Sequence, residues 1–247
     1  MNLNPSNIES VGNFCKVLDT FFLSTEEGDE HVGFNLKTRG YWEPDVTSWM
    51  MQNVQKGWTC LDIGFNIGYF TEVLARTVGP TGKVYAFEPN RLLVEKYKEA
   101  QRMNNYDDCG DIKVFDVGLS NNNSRIFLNI PKSNPGGANI SGDKQDLDED
   151  KFSVQSIDVK RLDSFFNEKV DFIKMDIEGS EQLAWEGFPD IVKECPYMIV
   201  ELGPYHGISF LNELNSRFSL HFLNGRTIMP EDIMQISPHM NILLKKR

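Results

Sequence analysis

A short glycine loop follows a strongly apolar run in the first third of the chain, and its spacing is D-x-G-x-x-x-G. The loop is defined by Asp62, Gly64 and Gly68. Gly64 lets the chain turn sharply off a strand, and Gly68 lets a ligand or a neighbouring backbone approach the start of the next helix. The G-x-G-x-x-G spacing that suits a pyrophosphate is absent here. A plain strand-to-helix turn explains the same pattern, so the loop alone is a weak indicator.

A carboxylate ends the next strand-like run. Glu88 lies 88 − 68 = 20 residues beyond Gly68, in the turn Phe87-Glu88-Pro89-Asn90. A carboxylate at this separation from a glycine loop can accept hydrogen bonds from both ribose hydroxyls and would repel a 2′-phosphate. The alternative is an acid that only favours the positive end of the following helix. Together, the loop and the carboxylate predict a ligand of the adenosine type.

Further acid-base candidates follow two later strand-like runs. Asp176 and Glu178 follow VDFIKM, Glu201 ends PYMIVEL, and His206 comes just after it. Because parallel strands share their carboxyl edge, we expect these residues near the glycine loop. The usual histidine pKa suits base catalysis near neutrality, so His206 is the predicted base, with a surface histidine of no role as the alternative. Mg²⁺ bound by these carboxylates is a less favoured alternative to metal-free chemistry.

Two other acids have competing interpretations, and three histidines are weaker candidates. Asp116, near the end of the third strand, faces the adenine amino group or is an ordinary strand-end acid. Glu181 begins a helix, where a capping role is preferred. The weaker candidates are His31, His221 and His239.

Strand-like runs alternate with segments of helical period, which indicates β-α-β units around a mainly parallel sheet. The predicted strands are 58–64, 83–88, 111–117, 170–176 and 196–202, followed by two antiparallel strands within 218–223 and 241–246. The predicted helices include one with Val46, Trp49, Met50 and Val54 on one face, one at 68–78, one with Leu93, Tyr97 and Ala100 on one face, and one at 180–194. The fold class is α/β, with a seven-stranded doubly wound sheet.

Two regions lie outside this core pattern. Residues 1–40 are expected to form an N-terminal extension, helical over about 7–23. Residues 124–157 are an insertion with two extra strands, SRIFLNI and KFSVQSI, around an acidic loop at 143–150. That loop is solvated or forms a lid over a site. We expect a single domain over 1–247.

Composition narrows the range of partners. The chain has 247 residues, 25 Lys+Arg and 36 Asp+Glu, hence a net charge of −11. Binding to nucleic acid requires clustered basic residues, so it is not expected. No run is long enough to span a bilayer, and four scattered cysteines without metal-ligand spacing predict reduced thiols and a cytoplasmic location.

Two blocks of the sequence carry a family resemblance. CLDIGFNIGYFTEVLARTVGPTGKVYAFEPN and RLDSFFNEKVDFIKMDIEGSEQLAWEGF resemble the FkbM family of S-adenosylmethionine-dependent methyltransferases, the second block being the more distinctive. The resemblance extends from about Tyr41 to Leu202. It implies a class I (Rossmann-like) methyltransferase fold and methylation of hydroxyl groups on sugars or small natural products.

The resemblance also implies roles for particular residues. Asp62, Gly64, Asn66 and Gly68 would line the methionine and adenosine side of the cofactor. Glu88, with Pro89 beside it, would hold the ribose, and Glu43 in Trp42-Glu43-Pro44 would close over the amino-acid end. Phe65 stands where the family usually has alanine, so the pocket is expected to differ in shape at this loop contact.

The leading hypothesis is therefore a methyltransferase that acts on a hydroxyl of a small molecule or a glycan. The alternatives are an NAD-dependent oxidoreductase, since Glu88 would suit the ribose of NAD equally well, and a non-catalytic module that keeps the cofactor pocket. Acceptor contacts are expected from residues 1–40 and 124–157. These segments could also form a homo-oligomer contact.

Overall fold

The computed structural model describes residues 1, 3, 8–25, 31–141, 147–203, 206–229, 232 and 239–247. The strands are β1 (Ser10–Val11), β2 (Phe14–Val17), β3 (Phe21–Ser24), β4 (Thr59–Ile63), β5 (Lys83–Phe87), β6 (Asp111–Phe115), β7 (Gly118–Leu119), β8 (Ser124–Pro131), β9 (Asn139–Ser141), β10 (Phe152–Lys160), β11 (Phe172–Met175), β12 (Tyr197–Leu202), β13 (Phe218–His221), β14 (Thr227–Ile228) and β15 (Met240–Lys246). The helices are α1 (Val32–Arg39), α2 (Pro44–Asn53), α3 (Tyr69–Val78), α4 (Arg91–Gln101), α5 (Glu181–Glu186), α6 (Asp190–Lys193) and α7 (Ile208–Arg217).

The main sheet confirms the predicted α/β fold. Its strand order is β14-β13-β15-β12-β11-β4-β5-β6. Strands β4, β5, β6, β11 and β12 are parallel, and β15 and β13 add antiparallel strands at one edge, as predicted. The two-residue β14 extends the seven predicted strands by one. The chain runs from β4 outward to β6 and then to β11 and β12 on the other side, so the switch point lies between β4 and β11.

Helices cover both faces of this sheet. On one face α2, α3 and α4 contribute Met50, Val73 and Leu93 to an apolar core. On the other face α5, α6 and α7 contribute Trp185 and Leu211, among others, to a second core. Two layers of helices hold the sheet rigidly, and its carboxyl edge can therefore present side chains at fixed positions.

Helix α2 confirms its predicted amphipathic face. The four residues expected to share that face, Val46, Trp49, Met50 and Val54, are all buried. Pro44 occupies the first turn, where a missing N–H costs nothing. The helix thus leaves Trp42 and Glu43, which immediately precede it, at the carboxyl edge of the sheet.

The predicted N-terminal helix at 7–23 is wrong over its described part, 8–23; residue 7 lies outside the described residues. Strands β1, β2 and β3 form a small antiparallel sheet there. Along β2 the buried residues, Cys15 and Val17, alternate with partly exposed ones, which is the period of a strand. The amide of Asn104 pairs with the backbone of Phe22 in both directions, at 2.7 and 3.0 Å, and so covers the edge of β3. Helix α1 follows within the predicted extension.

The insertion forms a second small sheet, in the order β7-β10-β8-β9. The two predicted strands are confirmed as the antiparallel pair β8 and β10. Leu128, Ile130, Ile157 and Val159 form its buried apolar side. Residues 143–146 of the acidic loop lie outside the described residues, and 148–150 are exposed.

The predicted helix at 180–194 is two short helices, α5 and α6. Gly187 ends α5, and its backbone packs so closely on Ser120 that a Cβ atom would overlap the Ser120 carbonyl oxygen. Pro189 then starts α6. The break occurs because Gly187 and Pro189 both have poor helix propensity. The single helix was predicted from the spacing of the apolar residues, which is compatible with helix on both sides of the break. Within the described part of the chain, no helix has the length and apolar character needed to cross a membrane.

Candidate functional site

Two cavities open at the carboxyl edge of the main sheet. The first cavity lies at the switch point, between the glycine loop, the turn after β5 and the apolar side of the insertion. Its lining includes Gly64, Phe65, Asn66, Glu88, Pro89, Gly118, Leu119, Leu128, Ile157, Val159, Asp176 and Glu178. A polar end and an apolar end therefore share one space, which suits a ligand with a charged part and an aromatic base.

The glycine loop takes its shape from two close packing contacts. Gly64 has φ +82°, and a Cβ atom there would overlap the backbone of Asp176. Gly68 has φ +91°, and its missing side chain makes room for the ring of Tyr97. The predicted sharp turn at Gly64 is thus present, whereas Gly68 is required by a protein contact and does not itself line the first cavity.

Glu88 lies at the polar end of the first cavity. One carboxylate oxygen accepts a hydrogen bond from the Asn66 amide at 3.0 Å and the other from the Asn90 amide at 2.9 Å. Burial raises the pKa of Glu88 to about 7, and these two amide donors oppose that rise. Each carboxylate oxygen can accept a further hydrogen bond, so Glu88 can bind two hydroxyl groups of a ligand.

The insertion closes the other side of this cavity. The Pro135 carbonyl accepts from the Asn90 side chain at 3.4 Å, and Gly136 packs against the Asn66 side chain. Leu119 adds an apolar side chain from β7. The insertion therefore contacts the same loop and turn that hold Glu88, and together they form an apolar slot.

Besides Gly68, three predicted cofactor residues lie outside the first cavity. Asp62 is buried below the loop, where it accepts a hydrogen bond from the Thr71 hydroxyl, and burial raises its pKa to about 6. Asp116 follows the end of β6, is exposed and does not line the first cavity; Gly118 and Leu119 occupy that place. Glu43 lines the second cavity instead of the first. Phe65 and Pro89 do line the first cavity.

A buried lysine organises the acids after β11. Lys174 is 1% exposed, and its Nζ lies 3.0 Å from the Asp176 carboxylate. Burial lowers the pKa of Lys174, but Asp176, Glu43 and Asp62 together raise it above its ordinary value. The sequence signal was present, because a lysine inside the otherwise apolar strand FIKM must have a buried partner.

Glu201 pairs with a histidine that was a weak candidate in the sequence. The Glu201 carboxylate lies 3.0 Å from Nδ1 of His239, and Glu178 lies 3.9 Å from the same atom. Burial and Asp176 raise the pKa of Glu201 to about 7, whereas His239 lowers it. The hydrogen bond to Glu201 raises the pKa of His239 above its usual value. Partial burial, Asp176 and Glu201 also raise the pKa of Glu178 to about 7.

His206 lies behind this cluster and is buried, with 2% of its side chain exposed. Its Nδ1 accepts from the Gly203 amide at 3.2 Å, so Nε2 carries the hydrogen that points to Glu181, 2.9 Å away. Glu181 in turn accepts from the amides of Ile177 and Gly179, in the loop before α5, which is a structural role but not the expected capping of helix amides. Both ring nitrogens therefore hold the loop in place, which differs from the predicted role as base.

Backbone strain is concentrated at the same edge. Four non-glycine residues here have φ between +36° and +62°: Glu43, Asn66, Glu178 and His239. Each such conformation costs of order 1–3 kcal/mol and persists only where the surroundings enforce it. The fold thus holds the backbone at two cavity walls in a conformation that is unfavourable for residues other than glycine.

The second cavity lies on the far side of the acidic cluster, between α2 and the strands β13 to β15. It is lined by Glu43, Pro44, Asp45, Val46, Ser48, Trp49, Gln52, Phe222, Leu223, Asn224, His239, Met240 and Asn241. His239 and Glu178, which line the second and the first cavity respectively, are 3.9 Å apart. The walls of the two cavities therefore adjoin at Glu178 and His239.

The predicted Mg²⁺ alternative is not supported by this geometry. Oxygen atoms of Asp176, Glu181 and Glu201 do lie within 4.8 Å of one another. However, the Lys174 ammonium already neutralises Asp176, and Glu181 binds two amides and His206. Glu201, which belongs to this group and to a second one with Glu178 and His239, is already paired with His239.

Comparison with known proteins gives the family. Residues 62–220, more than half of the chain, match the model of the methyltransferase FkbM domain. Among curated protein sequences, none matches the chain significantly.

Solved structures to which the chain is similar include three methyltransferases. The methyltransferase FkbM from Methylobacillus flagellatus is 21% identical, with a TM-score of 0.48, and the match covers 76% of this chain and 43% of that protein. A SAM-dependent O-methyltransferase from Thermotoga maritima is 15% identical, with a TM-score of 0.49 and coverage of 100% and 88%. A putative rRNA-methylase from Clostridium thermocellum is 14% identical, with a TM-score of 0.48 and coverage of 82% and 94%.

The glycine loop, the carboxylate after β5 and the acidic segment after β11 all fall inside the matched region, on a class I methyltransferase fold. The chain belongs to the FkbM family of S-adenosylmethionine-dependent methyltransferases.

Proposed function

We propose that this methyltransferase transfers the methyl group to a hydroxyl of a small molecule or a glycan. The observation that carries the proposal is the Glu201–His239 pair, 3.0 Å apart, at the junction of the two cavities. A hydroxyl must lose its proton during or after methyl transfer, and a histidine oriented by a carboxylate is suited to accept it.

The first cavity fits S-adenosylmethionine. Glu88 would bind the two ribose hydroxyls, and Leu119 with the apolar side chains of the insertion would hold the adenine. When bound, the cofactor supplies a methyl group made electrophilic by a positively charged sulfur. Glu178 and Glu201 would place negative charge near that sulfur.

His239 would act as the base in place of His206. If Nδ1 of His239 donates its hydrogen to Glu201, Nε2 has the lone pair that accepts the hydroxyl proton. The hydroxyl oxygen that has given its proton to His239 would accept the methyl group from the bound cofactor, which would leave as S-adenosylhomocysteine. Glu201 stabilises the imidazolium that forms.

The charge of the site supports a neutral acceptor. The cluster contains several carboxylates and one lysine, which is buried against Asp176. A phosphodiester backbone would meet repulsion here, so we propose that nucleic acid is not the acceptor. The four cysteines are free thiols, which is consistent with the proposed cytoplasmic location.

Methyl transfer from CD₃-labelled S-adenosylmethionine tests this proposal. Neutral glycosides and phenols, amines, thiols and ribosomal RNA would each be incubated with the full chain, and the products identified by mass spectrometry. We expect label in an ether of the hydroxyl compounds. Label in amines, thiols or RNA would contradict the proposal, and cofactor binding without transfer to any acceptor would favour the non-catalytic alternative.

A further inference from the structure

We propose that the second cavity, between α2 and β13–β15, binds the methyl acceptor, and that this acceptor is a neutral, polyhydroxylated molecule such as a glycoside. The inference rests on the proposed hydroxyl methylation and names where the acceptor lies and what kind of molecule it is. It also differs from the expectation that residues 1–40 and 124–157 supply the acceptor contacts.

Position is the first argument. His239 and Glu43 line the second cavity, and Asp176 and Glu178 line the first. Trp42, which lines the first cavity, is the chain neighbour of Glu43. A molecule in the second cavity can therefore place a hydroxyl beside His239, next to the wall of the first cavity. In-line transfer then requires this hydroxyl to contact the methyl carbon directly, on the side opposite the sulfur.

Unsatisfied hydrogen-bond acceptors are the second argument. The Asn241 side chain donates to Oε1 of Glu43 at 3.0 Å. The remaining oxygens of this pair, Oε2 of Glu43 and Oδ1 of Asn241, are buried and have no donor among the residues that the structure describes. Each such oxygen costs about 1–3 kcal/mol. Both residues line the second cavity, so a ligand hydroxyl that donates to these oxygens would remove that cost.

The other side chains that line the second cavity indicate the chemical class of the acceptor. Asp45, Gln52 and Asn224 offer further side-chain oxygens, while Trp49 and Phe222 offer aromatic surface. Among the described residues that line this cavity there is no lysine or arginine. The wall therefore attracts hydrogen-bond donors and apolar ring faces and repels anions, which fits a neutral sugar better than a phosphorylated or carboxylated one.

A pair of matched phenylalanine variants tests the location. Ser48→Phe fills the cavity from α2, whereas Gln55→Phe places the same side chain at an exposed position outside the lining. The probes are p-nitrophenyl glycosides of several neutral hexoses and deoxyhexoses, with glucose 1-phosphate as the anionic comparison. Binding is read by saturation-transfer NMR in the presence of S-adenosylhomocysteine, and methylation by mass spectrometry.

We expect glycoside signals with the wild type, none with glucose 1-phosphate, at least a tenfold rise in the acceptor KM for Ser48→Phe, and no change for Gln55→Phe. Asn241→Leu should raise the acceptor KM tenfold with the Kd of S-adenosylmethionine unchanged. Hydroxyl methylation that Ser48→Phe does not affect would overturn the location. Cofactor binding with no glycoside signal would overturn the acceptor class. A chain that does not bind S-adenosylmethionine at all would instead refute the proposed function.

Discussion

The two ends of the site are built by different means. On the β4–β5 side, Glu88 is held by two backbone amides, those of Asn66 and Asn90. On the β12–β15 side, Glu201 is held by the side chain of His239, 38 residues away in the chain. Burial raises the pKa of both acids to about 7. A carboxylate fixed by backbone suits a constant binding role, whereas one held by a titratable side chain suits proton transfer.

The glycine loop should be the most sensitive point of the β4–β5 side. In Gly64→Val the new side chain would overlap the Asp176 backbone at a position with φ +82°, so we expect the free energy of unfolding to fall by about 4 kcal/mol or more, or folding to fail. Urea denaturation measures this loss.

Gly225 is the matched control, because it has φ +88° but open space around it. Gly225→Ala should cost only about 1 kcal/mol, the cost of the backbone conformation alone. Equal losses for the two variants would show that the close contact with Asp176 is unimportant.

On the β12–β15 side, His239→Gln should change turnover and leave cofactor binding intact. We expect kcat to fall by about 10³-fold, since a general base contributes roughly 10²–10⁴-fold. Because Glu201 raises the pKa of His239, wild-type activity should rise with pH through a value above the ordinary 6.5, and Glu201→Gln should move that rise to lower pH. Steady-state kinetics from pH 5.5 to 9 gives both results.

His206, which is buried whereas His239 is exposed, separates catalysis from structure. His206→Gln removes the hydrogen bond to Glu181, so we expect a lower melting temperature with kcat changed only a few-fold. If His206→Gln abolished turnover in a folded protein and His239→Gln did not, His206 would be the base, as first predicted from the sequence.

The contrast between the β4–β5 side and the β12–β15 side also explains which parts of the site could be predicted from the sequence. Gly64 and Glu88 lie in contiguous motifs on adjacent strands, so their spacing alone placed them together. His239 reaches Glu201 only because β15 pairs antiparallel with β12, with Leu202 opposite Met240. No local pattern encodes that register, although two antiparallel edge strands were predicted.

Two other predictions made from local sequence differ from the structure for another reason. The N-terminal strands were interpreted as a helix because the apolar residues there are dense enough to fit either period over a short span. His206 was placed correctly at the carboxyl edge, but whether its ring turns outward or inward depends on Glu181, which belongs to another element. Local sequence cannot determine the direction of a side chain that a tertiary contact fixes.

Glu88→Gln should weaken binding of both cofactor forms. The variant replaces a charged acceptor that binds two backbone amides and, as proposed, two ribose hydroxyls. We expect the Kd of S-adenosylmethionine and of S-adenosylhomocysteine to rise about 100-fold each, the equivalent of two charge-assisted hydrogen bonds. Calorimetry with both ligands measures this, and a change for only one of them would place Glu88 near the sulfur and away from the ribose.

The smallest expected effect is a pH dependence of cofactor binding. It distinguishes the β4–β5 side of the site from the β12–β15 side. S-adenosylmethionine carries a positive sulfur and S-adenosylhomocysteine does not, so only the former gains from ionised Glu178 and Glu201, whose pKa values are raised to about 7. Cofactor binding would then release protons below pH 7, and affinity for the cation should increase with pH. In the proposed binding mode Glu88 contacts the ribose of both ligands, so its titration should cancel in their ratio. We therefore expect the ratio of the two Kd values to shift about tenfold in favour of S-adenosylmethionine between pH 6 and 8, and the shift to shrink in Glu178→Gln. A ratio that is independent of pH would place the sulfur away from these acids, and would leave the β4–β5 side alone responsible for cofactor binding.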